Sequence, residues 1–137
     1  MQINSEVMLT ALEDHKNPDE NIMYPIYARV KRMKFFTLSM NQQEDGFISA
    51  TTRDNLLTVQ FNIFGKPQVT NYPLSSLEKV RIKPFVFGTY FIVLVFRIDG
   101  RKRKLEFTAA ENVYRTDLEY QQENLAKLME LFKRYTC

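Results

Sequence analysis

The chain has 137 residues, of which 45% are hydrophobic and 26% charged, with a net charge of +3. These values predict one globular domain with a hydrophobic core, and they argue against a disordered chain or a strongly cationic nucleic-acid-binding protein. The one cysteine, Cys137, excludes an internal disulfide. The N-terminus lacks the basic start and apolar run of a secretory signal, so we expect a cytoplasmic location.

The N-terminal segment predicts a short helix within residues 3–15, because Ile3, Val7 and Leu12 fall on one helical face. Asn17-Pro18 then interrupts the helix. We expect residues 1–22 to form an N-terminal extension and residues 23–137 to form the domain.

Short strand patterns fill the middle of the chain. Alternation of apolar and polar residues, with turn-forming residues between the runs, is typical of antiparallel strands. Asp99-Gly100 is a strong hairpin signal, because both residues tolerate positive φ. The polar segment Asn41–Gly46 is expected to be a loop. The predicted strands are Tyr24–Phe36, Phe47–Thr52, Leu56–Phe61, Gln68–Tyr72, Leu77–Ile82, and the two strands flanking Asp99-Gly100.

A helix is predicted from about Asn112 to Arg134, because apolar residues recur at steps of three, four and seven. The strand Phe91–Val95 is apolar on both faces, so we expect it to be covered on both sides. The sequence therefore predicts a mainly β fold of the barrel or sandwich type with helix, in which about seven antiparallel strands form a bent sheet capped by the C-terminal helix.

Candidate catalytic and metal-binding residues are few. His15 lies among charged residues near a helix end, and Cys137 is the chain terminus, where nothing fixes its environment. One histidine and one cysteine at opposite ends of the chain do not make a zinc site. The four glycines lie at predicted turns and form no phosphate-binding loop. We expect no enzymatic activity, no metal and no cofactor.

Basic residues recur along two predicted strands. Lys79, Arg81 and Lys83 share one parity, and Lys102 shares a face with Lys104, opposite Arg101 and Arg103. Such a face can attract phosphate or acidic lipid. The alternative is an ordinary solvated sheet face, whose charges discourage aggregation.

Phe85, Val86 and Phe87 lie in a connection between Pro84 and Gly88. Apolar residues in a loop either fold back on the core or form a contact surface. We therefore consider these three residues a candidate interface for self-association or a protein partner.

The order of these elements resembles the pleckstrin-homology-like fold, and within it the bacterial pleckstrin-homology-like domains of uncharacterised function. The matching segments are Gly46–Thr51 leading into Asp54–Val59, Tyr72–Val80, and Phe96–Lys102. The resemblance covers about residues 24–135. It implies that basic residues near the first hairpin, here Arg29, Lys31, Arg32 and Lys34, contact phosphoinositides, although the adjoining loop Asn41–Asp45 has no basic residue. It also implies that assembly into oligomers is an option.

Together these observations favour a non-enzymatic interaction or assembly module that binds a protein partner or itself. The alternative is a module for acidic lipid headgroups or other phosphate ligands, and a third option is a barrel that encloses a small apolar ligand. Nucleic acid and a transmembrane segment are not expected. The residues for the lipid or phosphate alternative are Arg29, Lys31, Arg32, Lys79, Arg81 and Lys83.

Overall fold

Seven antiparallel strands form one sheet in the computed structural model, which describes residues 2–31, 43–62, 65–113 and 116–136. A helix precedes the strands and a second helix follows them, which confirms the mainly β prediction. The elements are α1 (Ser5–His15), β1 (Ile22–Lys31), β2 (Gln43–Thr51), β3 (Asn55–Phe61), β4 (Pro67–Pro73), β5 (Leu77–Pro84), β6 (Thr89–Ile98), β7 (Arg101–Ala110) and α2 (Gln121–Tyr135).

The strand order is β4-β3-β2-β1-β7-β6-β5, so the sheet consists of two meanders joined where β1 pairs with β7. In all the remaining pairs of neighbours, the two strands follow each other directly in the sequence. The two edge strands, β4 and β5, are not paired with each other, and the sheet is therefore not a closed barrel.

The Asp99-Gly100 hairpin forms as predicted. Asp99 has φ 53° and Gly100 has φ 77°, the two left-handed residues that this turn needs. The turn fixes the register of β6 and β7, in which Ile92 lies opposite Phe107 and Val93 opposite Glu106. The residues of β6 therefore alternate between an inner face and an outer face.

α1 packs on the outer face of β2 and β3. Its Asn4 cap accepts a hydrogen bond from the Val7 N–H at 2.8 Å, which satisfies a free donor of the first turn. Met8 and Leu12 then bury against Phe47 and neighbouring apolar residues of the sheet. The N-terminal residues therefore contribute a small second core.

α2 packs on the inner face, where Leu125, Leu128 and Phe132 are fully buried in the main core. These side chains fill the interior between α2 and the sheet, which is the space that a small enclosed apolar ligand would need. α2 begins at Gln121, so the prediction of a start near Asn112 is wrong.

The segment before α2 binds the N-terminus instead of continuing the helix. The Ser5 N–H donates to the Asp117 carbonyl at 2.8 Å, and the Glu119 N–H donates to Ser5 Oγ at 2.9 Å. Leu118 packs with the core of α1. Tyr120 adopts φ 64°, which sets the chain direction immediately before the helix.

One further boundary differs from the predictions, and another prediction extends beyond the described residues. Gln43–Gly46, predicted as loop, belongs to β2, because Glu44 is buried and accepts a hydrogen bond from Gln60 Nε2 on β3 at 2.6 Å. β1 ends at Lys31, and the predicted continuation to Phe36 lies outside the described residues. Within the part of the chain that the structure describes, neither helix is long and apolar enough to cross a membrane.

Candidate functional site

The outer face of β5, β6 and β7 is the strongest candidate surface. α1 covers this same face of the sheet at β2 and β3, whereas α2 packs on the opposite face. Among the described residues, neither helix contributes to the core on the outer side of β5–β7. The side chains of this surface are therefore set by strand alternation.

Lys79, Arg81 and Lys83, here called the basic row, lie on this outer face and are exposed. Cross-strand register places Val95 opposite Lys79, Val93 opposite Arg81 and Phe91 opposite Lys83. The sequence prediction that the three cations share one solvent-facing side is consistent with this geometry. In the described part of the chain, no member of the row has a carboxylate within 4.0 Å.

Arg29 and Lys31 belong to the same face but lie farther along the sheet, on β1. Both are ion-paired: Arg29 Nη1 lies 2.6 Å from Asp45 Oδ1, and Lys31 Nζ lies 2.8 Å from Glu106 Oε2. Each would have to leave its carboxylate to bind another anion. Arg32 and Lys34, the remaining candidates, lie outside the described residues.

Asp45 joins Arg29 to the Tyr27 hydroxyl, which donates to the same carboxylate oxygen at 2.6 Å. Burial would raise the pKa of Asp45, but hydrogen bonds from Tyr27 and Arg29 outweigh it and hold that pKa below its usual value. Burial and the Asp45 carboxylate raise the pKa of Tyr27 to about 12. Tyr27, Arg29 and Asp45 pair their charges and hydrogen-bonding groups with one another, so we interpret this network as a structural element of the sheet.

Glu106 is the acidic residue of the outer face of β7. Its carboxylate lies 2.8 Å from Lys31 Nζ and 3.2 Å from Lys104 Nζ. Burial opposes ionisation, yet the two lysines outweigh it and keep the pKa of Glu106 below its usual value. The single carboxylate thus offsets one of the two lysine charges, and the basic row adds three positive charges that no carboxylate of the described residues offsets.

An apolar strip runs beside the basic row. Val93 is only 8% exposed although it lies on the outer face, while Phe91 and Val95 are half-buried. These apolar residues are the reason why the sequence predicts that the strand is covered on both sides. In the described part of the chain, neither helix covers its outer face. A groove of about 460 Å³ lies here, lined by residues that include Lys79, Arg81, Phe91, Val93, Lys104 and Glu106. The sequence signal for it was the absence of polar residues between Phe91 and Val95.

Phe85, Val86 and Phe87, here called the apolar tip, lie at the end of the β5–β6 hairpin. Their exposed fractions are 52%, 70% and 92%. Phe85 contacts the ring of Phe91, and Lys83 Nζ lies 5.8 Å from the centre of the Phe85 ring. The tip is therefore contiguous with the basic row.

His15 lies in the last turn of α1, with Nδ1 2.8 Å from the Ala11 carbonyl oxygen. This contact within the helix fits a structural role. Among the described residues, no group of three or more histidine, cysteine, aspartate or glutamate side chains is arranged to hold a metal.

No protein-family model matches this chain, and no curated protein matches it in sequence. Among solved structures, the fold is similar to the hSac2 domain from the human phosphoinositide phosphatase Sac2, with a TM-score of 0.60 and 14% sequence identity. The match covers 95% of this chain and 80% of that domain structure. At this level of identity, the similarity establishes a shared fold, a seven-stranded antiparallel sheet with a C-terminal helix.

Proposed function

We propose that this chain is a non-enzymatic pleckstrin-homology-like interaction module that binds the phosphate groups of acidic lipids through the basic row. The membership among bacterial domains of this type, expected from the sequence, remains a prediction. A cytoplasmic location is part of the proposal, because acidic lipids give the cytoplasmic leaflet its negative surface potential.

The observation that carries the proposal is the alignment of Lys79, Arg81 and Lys83 on one exposed face, where no carboxylate of the described residues pairs with them. Arg29 and Lys31 provide the contrast, since each is paired with a carboxylate of the sheet. A cation without a carboxylate partner gives up no ion pair when a phosphate approaches, and each cation near an acidic membrane contributes about 1 kcal/mol to binding.

The structural neighbour adds modest support. That protein is a phosphoinositide phosphatase, and its hSac2 domain shares the fold of this chain. Fold similarity alone does not assign a ligand, so the proposal depends on the charges of this chain.

A protein contact through the apolar tip is the second candidate function. The exposure of Phe87 favours it, because a large apolar side chain in water is commonly part of an interface. Self-association predicts an oligomer whose mass does not depend on salt, whereas phosphate binding weakens steeply as ionic strength rises.

The test is co-sedimentation with vesicles of phosphatidylcholine, with and without phosphatidylserine or a phosphoinositide, at low and high salt. The Lys79→Gln/Arg81→Gln/Lys83→Gln variant should bind acidic vesicles tenfold to about a hundredfold more weakly, since up to about 3 kcal/mol is removed. The matched control removes three exposed cations elsewhere that also lack an ion pair among the described residues, with Lys66→Gln, Lys127→Gln and Arg134→Gln.

Equal loss of binding in both variants would mean that net charge alone matters, and it would overturn a specific role for the basic row. Absence of wild-type binding to every acidic vesicle would overturn lipid binding altogether. Light scattering on the same samples reports the mass, and a salt-independent oligomer abolished by Phe85→Ser/Phe87→Ser would support the second candidate instead.

A further inference from the structure

We propose that the apolar tip inserts into the bilayer, with the hairpin end first, so that membrane binding is by penetration and not by the flat sheet face. This inference rests on the proposed function, because it names a lipid bilayer, and not a free phosphate compound, as the ligand of the site.

The first argument is the exposure of three consecutive apolar residues at one end of the molecule. Phe87 is 92% exposed and Val86 is 70% exposed. Scattered surface apolar residues are normal, but a contiguous exposed group at a hairpin end is a contact surface. Phenylalanine is among the residues that membrane-surface segments bury at the boundary between lipid headgroups and acyl chains.

The second argument is that the backbone holds these side chains outward. The Phe85 N–H donates to the Thr89 carbonyl at 2.8 Å and closes the loop. The Glu111 N–H donates to the Gly88 carbonyl at 2.9 Å, which fixes the tip to the end of β7. The tip is thus a built feature of the hairpin.

Phe87 itself adopts φ 60° and ψ 33°, a left-handed conformation that bulky residues rarely take. Such strain persists where the surrounding structure enforces it, and it concentrates at functional sites. Gly88 follows with φ 68°, and a side chain there would overlap the Glu111 carboxylate. The two residues together turn the phenyl ring of Phe87 away from the core.

The third argument is charge, which selects an acidic membrane as the occupant. Lys83 lies two residues from Phe85, about 7 Å along the strand, whereas Arg81 and Lys79 lie about 13 and 20 Å away. The headgroup layer of a bilayer is about 5–8 Å thick on each side. When the tip enters the acyl region, Lys83 therefore reaches the headgroups, while Arg81 and Lys79 lie farther out and are attracted more weakly by the negative surface potential.

One acidic side chain lies close to the tip. The Glu111 carboxylate packs over Gly88 and reduces the positive potential there. Lys83 lies against the ring of Phe85 and supplies a compensating positive charge at the tip.

Tip insertion predicts a graded effect of charge removal. Lys83→Gln should weaken binding to acidic vesicles about fivefold, Arg81→Gln less, and Lys79→Gln least, because the charges lie at increasing distance from the headgroups. Flat docking of the sheet face predicts three similar effects, and that result would overturn the insertion.

The chain contains no tryptophan. A single introduced tryptophan therefore reports on its own surroundings and tests insertion directly. The Phe87→Trp variant provides a single tryptophan at the tip, and Leu9→Trp on α1 is the matched control. We expect acidic phosphatidylserine vesicles to shift the emission of Phe87→Trp to the blue and to leave Leu9→Trp unchanged. Lipids brominated in the acyl chains should quench the first variant only.

The outcomes separate the possibilities. Vesicle binding without a blue shift in Phe87→Trp would overturn insertion and leave the proposed function standing, whereas no vesicle binding would overturn both. A blue shift without lipid that rises with protein concentration would assign the tip to a second copy of this chain. Inositol hexakisphosphate, as a soluble phosphate probe, should produce no shift.

Phe87→Ser provides a check that avoids the probe. It should weaken binding to acidic vesicles about tenfold to a hundredfold, the factor expected when a phenyl group no longer leaves water. Since Phe87 is exposed, the variant should fold normally, and unchanged vesicle binding would contradict the insertion.

Discussion

Replacing Gln121 by Leu should lower the free energy of unfolding by about 2–4 kcal/mol. Gln121 is the first residue of α2 and is only 3% exposed. Its Oε1 accepts from the Tyr27 N–H at 3.0 Å, and its Nε2 donates to the Tyr27 carbonyl at 2.9 Å and the Ala110 carbonyl at 3.1 Å. The side chain thus completes the backbone pairing of β1 and β7 where the two strands separate.

The magnitude follows from these three hydrogen bonds. Each contributes about 0.5–1.5 kcal/mol net, and a buried backbone group left without a partner costs about 1–3 kcal/mol. For a chain of this length, each kcal/mol shifts the melting temperature by roughly 3–4 °C. Urea denaturation followed by circular dichroism measures the loss. A decrease of less than about 1 kcal/mol in the free energy of unfolding would refute the role assigned to Gln121 between β1 and β7.

Gln121→Glu tests the same geometry through pH. The substitution places a second carboxylate oxygen beside two carbonyl oxygens, so the pKa of this glutamate should be raised above about 4.3, the value in an unfolded chain. A raised pKa gives stability that is present below the unfolded pKa and lost as pH rises through the folded one. The variant should approach wild-type stability near pH 4 and be strongly destabilised near pH 7.

The control is Gln122→Glu, which adds the same charge at an exposed neighbouring position. Its stability relative to wild type should vary little between the two pH values. If Gln121→Glu also showed no such variation, the hydrogen bonds assigned to the Gln121 side chain would be wrong.

Two further predictions concern β1 and β2. Because burial and Asp45 raise the pKa of Tyr27 to about 12, neutral Tyr27 should contribute stability that is fully present below about pH 10 and lost as pH rises towards 12. Ultraviolet titration of tyrosinate should show a component near this pH that is missing in Tyr27→Phe, and its persistence there would contradict the assignment. Gly46→Ala should destabilise the protein by about 1–3 kcal/mol, because its Cβ would lie 2.7 Å from Val30 Cγ2. Unchanged urea denaturation would contradict this, and a Val30→Ala background should relieve part of the cost.

Much of the sheet could be predicted from the sequence because its signals are local. Asp99-Gly100 encodes its turn by the conformations that its two residues tolerate, and period-two alternation locates most of the strands. The start of α2 could not be read in this way. Helical spacing continues upstream of Gln121, but the backbone of Asp117 and Glu119 bonds to Ser5 at the other end of the chain.

The candidate site was likewise predictable only where its signals are local in the sequence. Parity along one strand was sufficient to place Lys79, Arg81 and Lys83 on one face. It did not reveal that Arg29 and Lys31 are paired, because their partners come from β2 and β7 and become neighbours only when the sheet forms. The exposure of the apolar tip also needed the structure, since the sequence allowed the three residues to fold back on the core.

The junction of the two meanders has a consequence for how the molecule assembles during synthesis. β1 is synthesised early and can pair with β2 as soon as β2 has been synthesised. Its other edge stays unpaired until β7 is synthesised, more than half of the chain later. Among the described residues, the pairs in register there are Arg29 with Thr108 and Val30 with Phe107. Closing this seam requires bringing together distant parts of the chain and is therefore entropically costly and slow. The first half can bury its own apolar cluster beneath α1 in the meantime, which shields β2 and β3 until the second half arrives.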